Sequence, residues 1–140
     1  MEDANPERVV YRDEQWSVEV VPGYEVEGWF ILRTRRHALR IVSLDDSELS
    51  SFGWRARDLA AAVTDVTGAP AVYLMVFGES YPHFHVLVAA RGADVPHDRR
   101  TGEILKLRLE RADIAASLKL VPLVRAALAT HAAPLRSSER

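Results

Sequence analysis

The sequence predicts a single α+β domain: an antiparallel β-sheet of about five strands, with a long helix packed on one face and a C-terminal helix. Two observations support this prediction. Short β-prone runs joined by turns lie on both sides of one helix-periodic segment, and the 140 residues fit one domain. We expect that domain to cover residues 9–132, with flexible ends at 1–8 and 133–140.

The first three strands are predicted from runs rich in β-branched and aromatic residues. These runs cover residues 9–11, 16–21 and 29–32. A charged turn at 12–14 and a loop containing Pro22, Gly23 and Gly28 separate them. Because the connections are short, we expect the strands to be antiparallel neighbours.

The long helix is predicted from apolar residues that alternate between spacings of three and four. These residues are Leu49, Phe52, Ala56, Leu59, Val63 and Val66. Asp45 or Asp46 can cap the start of the helix, and Gly68 can end it. The segment therefore predicts an amphipathic helix of about five turns.

Two more strands and a last helix follow. The continuously apolar run 72–77 predicts a central strand buried on both faces, and a turn at 78–82 leads into a strand over 83–89. After Arg91 the chain is polar and rich in turn residues. A final helix is predicted over 118–132, with Pro122 favouring a start near that residue.

Composition excludes several kinds of chemistry. The chain has no cysteine, which excludes disulfides, thiolate catalysis and cysteine-ligated metals. Its net charge of -2 gives no overall attraction to nucleic acid or to an anionic membrane. No apolar run approaches the roughly 18 residues of a membrane span, and the acidic N-terminus does not resemble a signal peptide. We therefore expect a cytoplasmic protein without nucleic-acid or membrane partners.

His83 and His85 are the residues that point most clearly to chemistry. On a strand they would share one face with Leu87, while Phe84 and Val86 would point to the other. The pair is compatible with two structural imidazoles, or with a metal site that takes His37 as a third ligand. It is also compatible with nucleophilic attack on phosphorus by a neutral imidazole.

The run 77–88, followed by Arg91, resembles the signature of the histidine triad (HIT-like) superfamily, His-φ-His-φ-His-φ-φ, where φ is apolar. Upstream, segments 10–14, 28–37 and 44–68 resemble the family's opening strand, its basic strand end and its long helix. In this register His83 matches the first histidine, His85 the nucleophilic second and Leu87 the third. An alternative register makes His83 the nucleophile and Tyr81 the replaced first histidine.

The resemblance implies a nucleotidyl hydrolase or transferase in which His85 attacks an α-phosphate and His83 supports it. It implies no bound metal or other cofactor, and the expected partner is a nucleotide or another phosphate-bearing small molecule. A homodimer is also favoured, because many relatives pair through a sheet edge and a helix. The residues that the resemblance places against the ligand are His37, Trp29, Leu87, Glu79, Ser80 and Arg91.

Leu87 is the main departure from the family pattern. The family's third histidine contacts phosphate, and its main-chain carbonyl orients the nucleophile; leucine keeps the carbonyl but has no donor. The family's ribose-binding acid is also displaced, with Glu19 as the nearest carboxylate. A second interpretation is therefore a catalytically degenerate HIT-like protein that binds a nucleotide or a protein partner without turnover.

Overall fold

The computed structural model describes residues 5–138, with side chains described as far as residue 131. Its centre is a five-stranded antiparallel sheet in the order β1-β2-β3-β5-β4. The strands are β1 (Val9–Arg12), β2 (Trp16–Glu19), β3 (Trp29–Thr34), β4 (Ala71–Met75) and β5 (His85–Arg91). The predicted α+β fold is confirmed.

The helices are α1 (Asp46–Thr67), α2 (Leu107–Glu110) and α3 (Ile114–Ser138). Single 3-10 turns or short 3-10 segments occur at Pro6–Arg8, Ile41–Ser43, His97–Arg99 and Thr101–Lys106. Asp45 caps α1 in a reciprocal capping box with Glu48. Gly68 ends α1 in the left-handed region, with φ 67°, which glycine adopts at little cost.

One face of the sheet, called here the helix face, packs against α1 and α3. Side chains at alternate strand positions meet buried residues of both helices, as the period of two requires. Trp16 stacks on Phe52 with ring centroids 5.6 Å apart, and Phe84 meets both rings edge-on. The buried strand residues on this face include Val18, Phe30, Leu32, Val86 and Val88. This face forms the larger part of the core.

The opposite face, called here the site face, is covered along only part of its length. Residues 92–110, the covering segment, place Val95, Ile104 and Leu107 over Trp29 and Ala89. Together they form a second buried cluster. The covering does not extend over the end of the sheet where β5 begins, so His85 is half-buried there.

Three predicted elements differ from the structure. The prediction that 72–77 is a central strand is wrong, because β4 lies at the sheet edge, where Leu74 is 45% exposed. β5 begins at His85, since His83 lies in the preceding turn. The last helix begins at Ile114 rather than near Pro122, because packing of Val121 on the helix face keeps the proline inside a continuous helix.

The window Ile114–His131 of α3 is long and apolar enough to cross a membrane by length and composition. Val121, Val124 and Leu128 are nevertheless buried in the protein core, as in a core helix. Within the N-terminal end predicted to be flexible, Pro6–Arg8 form a 3-10 turn. Residues 1–4 and 139–140 of the two predicted flexible ends lie outside the described residues.

Candidate functional site

Antiparallel pairing aligns the side chains of the site face in rows across the sheet. Directly paired residues point to the same side, so each row is a line of neighbouring side chains. The first row is Arg12, Ser17, Arg33 and His85. The second row is Glu19, Ile31, Leu87 and Met75. His85 and Leu87 therefore lie on the same face, as predicted, and the row of Leu87 is apolar except for Glu19.

His85 is held in one defined tautomer. Its Nδ1 lies 2.8 Å from the main-chain carbonyl oxygen of His83. A carbonyl can only accept, so Nδ1 carries the proton and donates it. In the neutral ring the lone pair is then on Nε2, which makes no hydrogen bond within the described part of the chain. The orienting carbonyl thus belongs to His83, whereas the family pattern led us to expect the carbonyl of Leu87.

His83 is buried, with 3% of its surface exposed. Its Nε2 lies 2.5 Å from the carbonyl oxygen of Thr34 and 3.2 Å from the Thr34 hydroxyl. Nε2 therefore carries the proton, and the unprotonated Nδ1 is buried without a partner among the described residues. Burial lowers the pKa of His83, with smaller contributions from the charges of Arg33 and His37.

These contacts bear on the choice between the two registers. Both ring nitrogens of His83 are inaccessible, so His83 cannot reach a phosphorus atom in this conformation. The ring of Tyr81 stacks on His83 at 6.4 Å and meets His85 edge-on at 5.4 Å. The exposed His37 ring approaches His83 at 5.4 Å. The geometry therefore favours His85 as the reactive residue, with His83 fixing its orientation.

Two cavities meet at His85. One, the inner cavity, has a volume of about 310 Å³ and is lined by His85, Leu87, Ile31, Met75, Tyr81 and Arg108 among others. The second, the apolar groove, has a volume of about 540 Å³ and is lined by Leu39, Val42, Val76, Phe77, His83 and His85 among others. Glu79 lines both cavities, and Ser80 lines the inner one. A ligand extending through both would pass the free Nε2.

Glu19 is already engaged by protein groups. Its carboxylate accepts from Nε and Nη2 of Arg33, at 3.2 and 2.7 Å, and from the Ser17 hydroxyl at 2.5 Å. Arg12 donates a further bond at 3.0 Å. Burial raises the pKa of the Glu19 carboxyl, but these donors outweigh it and hold the pKa below its usual value. This carboxylate is therefore structural and is not presented to a ribose.

The structure brings together most of the expected ligand set but not all of it. Leu87, Glu79 and Ser80 line the inner cavity with His85, and His37 lies beside His83. Trp29 does not, because it pairs with Ala89, about 13 Å along the strand from His85, and is 1% exposed in the core. Arg91 lies farther still, about 20 Å along β5. Neither residue can contact a ligand held at His85.

Several site residues were absent from the expected set. Cross-strand pairing with Leu87 brings in Met75, and the turn before β5 brings in Tyr81. Arg108 comes from the covering segment, whose path the sequence did not indicate. Among the described residues, no group of three His, Asp, Glu or Cys side chains could hold a metal ion.

Comparison with known proteins supports the fold. No family model matches the sequence, and no curated protein matches it. Solved structures do. A histidine triad protein from Bradyrhizobium japonicum superimposes with a TM-score of 0.70 at 18% identity, covering 86% of this chain and 89% of that one.

Two further matches are similar in extent. A zinc-bound histidine triad family protein from Mycobacterium smegmatis gives a TM-score of 0.67 at 19% identity, covering 97% of this chain and 90% of that one. The diadenosine triphosphate hydrolase of Plasmodium falciparum gives a TM-score of 0.71 at 10% identity, covering 94% of this chain and 83% of that one. The chain therefore has the histidine triad fold, which confirms the resemblance at the level of the fold.

Proposed function

We propose that this protein is a HIT-like nucleotide-binding protein that hydrolyses or transfers a nucleotidyl group, with His85 as the nucleophile. The observation that carries the proposal is the hydrogen bond from His85 Nδ1 to the His83 carbonyl. It leaves an unprotonated Nε2 where the two cavities meet. That arrangement is what attack on a phosphoryl group requires.

The proposed reaction has two displacements. The lone pair of His85 Nε2 forms a bond to the α-phosphorus, and the bond from phosphorus to the leaving-group oxygen breaks with its electron pair. The ring becomes a phosphorylated imidazolium, and its proton stays on Nδ1, which donates it to the His83 carbonyl in a now charge-assisted bond. Water or an acceptor alcohol then attacks phosphorus, and the bond from phosphorus to Nε2 breaks with its electron pair returning to the nitrogen. The attacking oxygen loses its proton to solvent, and His85 is neutral again.

The proposal is tested by turnover and by trapping. Wild type, His85→Ala and the surface control His97→Ala are incubated with dinucleoside polyphosphates, nucleotide sugars and nucleoside phosphoramidates. Turnover by wild type and by His97→Ala, but not by His85→Ala, is expected. Intact-mass spectrometry at neutral pH should show a nucleotidyl adduct that maps to His85. Equal turnover by all three proteins would exclude a nucleophilic His85.

A second candidate is a degenerate member that binds a nucleotide or a protein partner without turnover. It is favoured by Leu87, which is 3% exposed between Ile31 and Met75 and offers no donor to phosphate. Leu87→His separates the candidates: activity that appears only in this variant supports lost catalysis. An active wild type contradicts it. Calorimetric titration with nucleoside monophosphates tests whether the protein binds a nucleotide.

A homodimer through the exposed edge of β4 is also part of the proposal. β4 pairs only with β5 among the described strands, Leu74 within it is 45% exposed, and Phe77, two residues beyond its end, is 62% exposed. An open apolar edge is a ready surface for strand pairing between copies. Light scattering should give a dimer for wild type and a monomer for Leu74→Glu. The control Leu109→Glu, changed at a 93% exposed position, should remain dimeric.

A further inference from the structure

The covering segment places one cation in the inner cavity. Leu107, 3% exposed, packs into the same buried cluster as Leu87 and so fixes the position of α2 on the site face. The next residue, Arg108, lines the inner cavity together with His85 and Leu87. An arginine is thus present in the cavity where the third triad position carries leucine.

Arg108 is held in place by the loop between β2 and β3. Its Nε donates to the carbonyl oxygen of Gly23 at 2.9 Å, and its guanidinium lies 4.0 Å from the centre of the Tyr24 ring. Gly23 has a φ of 87°, a turn conformation that glycine adopts without strain. These contacts use Nε and one face of the group, so the N–H groups of Nη1 and Nη2 remain available.

Three cations near Arg108 are neutralised by carboxylates, while Arg100 of the covering segment donates to the main-chain carbonyl oxygen of Val95 at 2.9 Å. Arg99 pairs with Glu110 at 2.7 Å, Lys106 with Glu103 at 2.6 Å, and Arg111 with Asp94 at 2.9 Å. Arg108 forms no ion pair with any carboxylate of the described residues. A guanidinium that is held in position, forms no ion pair and lines the same cavity as the nucleophile is suited to bind an anion.

We propose that Arg108 binds the non-bridging oxygens of the phosphoryl group that His85 attacks, and so supplies the contact that Leu87 lacks. This inference rests on the proposed function. The planar fork of the guanidinium matches two phosphoryl oxygens, and its charge offsets the charge carried by the attacked group. Tyr24 and Gly23 act as positioning residues for Arg108.

The substitution of arginine for an imidazole restricts the substrate class. A guanidinium keeps its protons throughout the reaction, so it stabilises charge but gives no proton to the leaving group. A leaving group that departs as a stable anion does not need that proton. We therefore expect phosphoanhydrides, in which the leaving group is a phosphate, to be better substrates than phosphoramidates, in which it is an amine.

The test measures the contribution of the phosphate to binding. Dissociation constants for adenosine, guanosine, cytidine and uridine and their 5′-monophosphates are compared for wild type, Arg108→Gln, Arg108→Lys and the ion-paired control Arg111→Gln. Arg108→Gln should weaken binding of the preferred monophosphate roughly 10- to 100-fold and leave the nucleoside unchanged. Arg108→Lys should retain part of the difference in affinity between the monophosphate and the nucleoside, and Arg111→Gln should retain all of that difference.

The outcomes separate this inference from the proposed function. Equal monophosphate affinity in Arg108→Gln and Arg111→Gln overturns the role of Arg108, even if turnover still requires His85. Loss of phosphate binding in Arg108→Gln without any turnover that depends on His85 supports Arg108 and overturns the catalytic proposal. A wild type that binds no phosphate-bearing probe overturns both. If Arg108→Gln does not fold, the same comparison of monophosphate and nucleoside affinities is made with Arg108→Lys and Tyr24→Leu. Tyr24→Leu should also raise KM and lower kcat.

Discussion

The two faces of the sheet are built from the same strands but have different roles. On the helix face, most alternate strand residues pack into one apolar cluster with residues of α1 and α3. On the site face, the buried ion pair Arg33–Glu19 and the half-buried His85 lie beside apolar side chains. The helix face therefore provides stability, while the site face accepts charged groups that cost free energy to bury and keeps an opening at His85.

The largest expected effect tests the open end of the site face. His85→Ala should lower turnover by roughly 10³-fold or more, because it removes the attacking atom itself. The melting temperature should change little, since the ring is half-buried and its bond to the His83 carbonyl is local. Steady-state kinetics and a thermal melt of the same preparation check both parts. A rate loss that merely tracks a lower melting temperature would contradict the assignment.

The buried charges of the site face provide the next test. Arg33→Met leaves Glu19 buried with fewer donors, and we expect a loss of roughly 3–5 kcal/mol in the free energy of unfolding. The double variant Arg33→Met, Glu19→Leu should recover much of this loss, because the uncompensated carboxylate is gone. Urea denaturation measures both. If the double variant is as unstable as the single one, the ion pair is itself a net source of stability.

The helix face should respond to loss of volume rather than of charge. Leu59 is fully buried against the sheet, and Leu59→Ala should lower the free energy of unfolding by roughly 2–5 kcal/mol. The control Leu109→Ala, at a 93% exposed position, should stay within about 0.5 kcal/mol of wild type. Urea denaturation with unchanged slope would show that the difference lies in the folded state. Equal losses in the two variants would contradict the packing described here.

The smallest expected effect is a pH dependence caused by His83. Its pKa is lowered in the folded protein by burial, so the unfolded chain binds more protons as the pH falls. This contribution to stability should therefore be complete well above the unfolded pKa, about 6.5, and be lost as the pH falls below that value towards the lowered pKa of the folded state. His83→Gln keeps a donor for the Thr34 carbonyl without titrating. Thermal melts across this range should show a weaker pH dependence for His83→Gln than for wild type.

The elements near the site show how far the sequence could lead. Alternation after the turn at Gly78 predicted that His85 and Leu87 share a face, and the pattern of α1 predicted its cap and its end. The position of β4 was not predictable from its apolar run, because a run of that length is typical of both central and edge strands. Likewise, Trp29 follows the pattern of a site residue but is buried at the end of β3 that is far from His85.

The sequence by itself determined the fold class, the two faces of β5 and the place of His85 at the start of that strand. Local periodicity and turn residues suffice for these features, since each depends on neighbours within a few positions. Only the tertiary structure decided which histidine is free, because that depends on the carbonyls of His83 and Thr34. It also decided that Arg108 lines the same cavity as Leu87, a placement of residues 21 positions apart that no local pattern encodes.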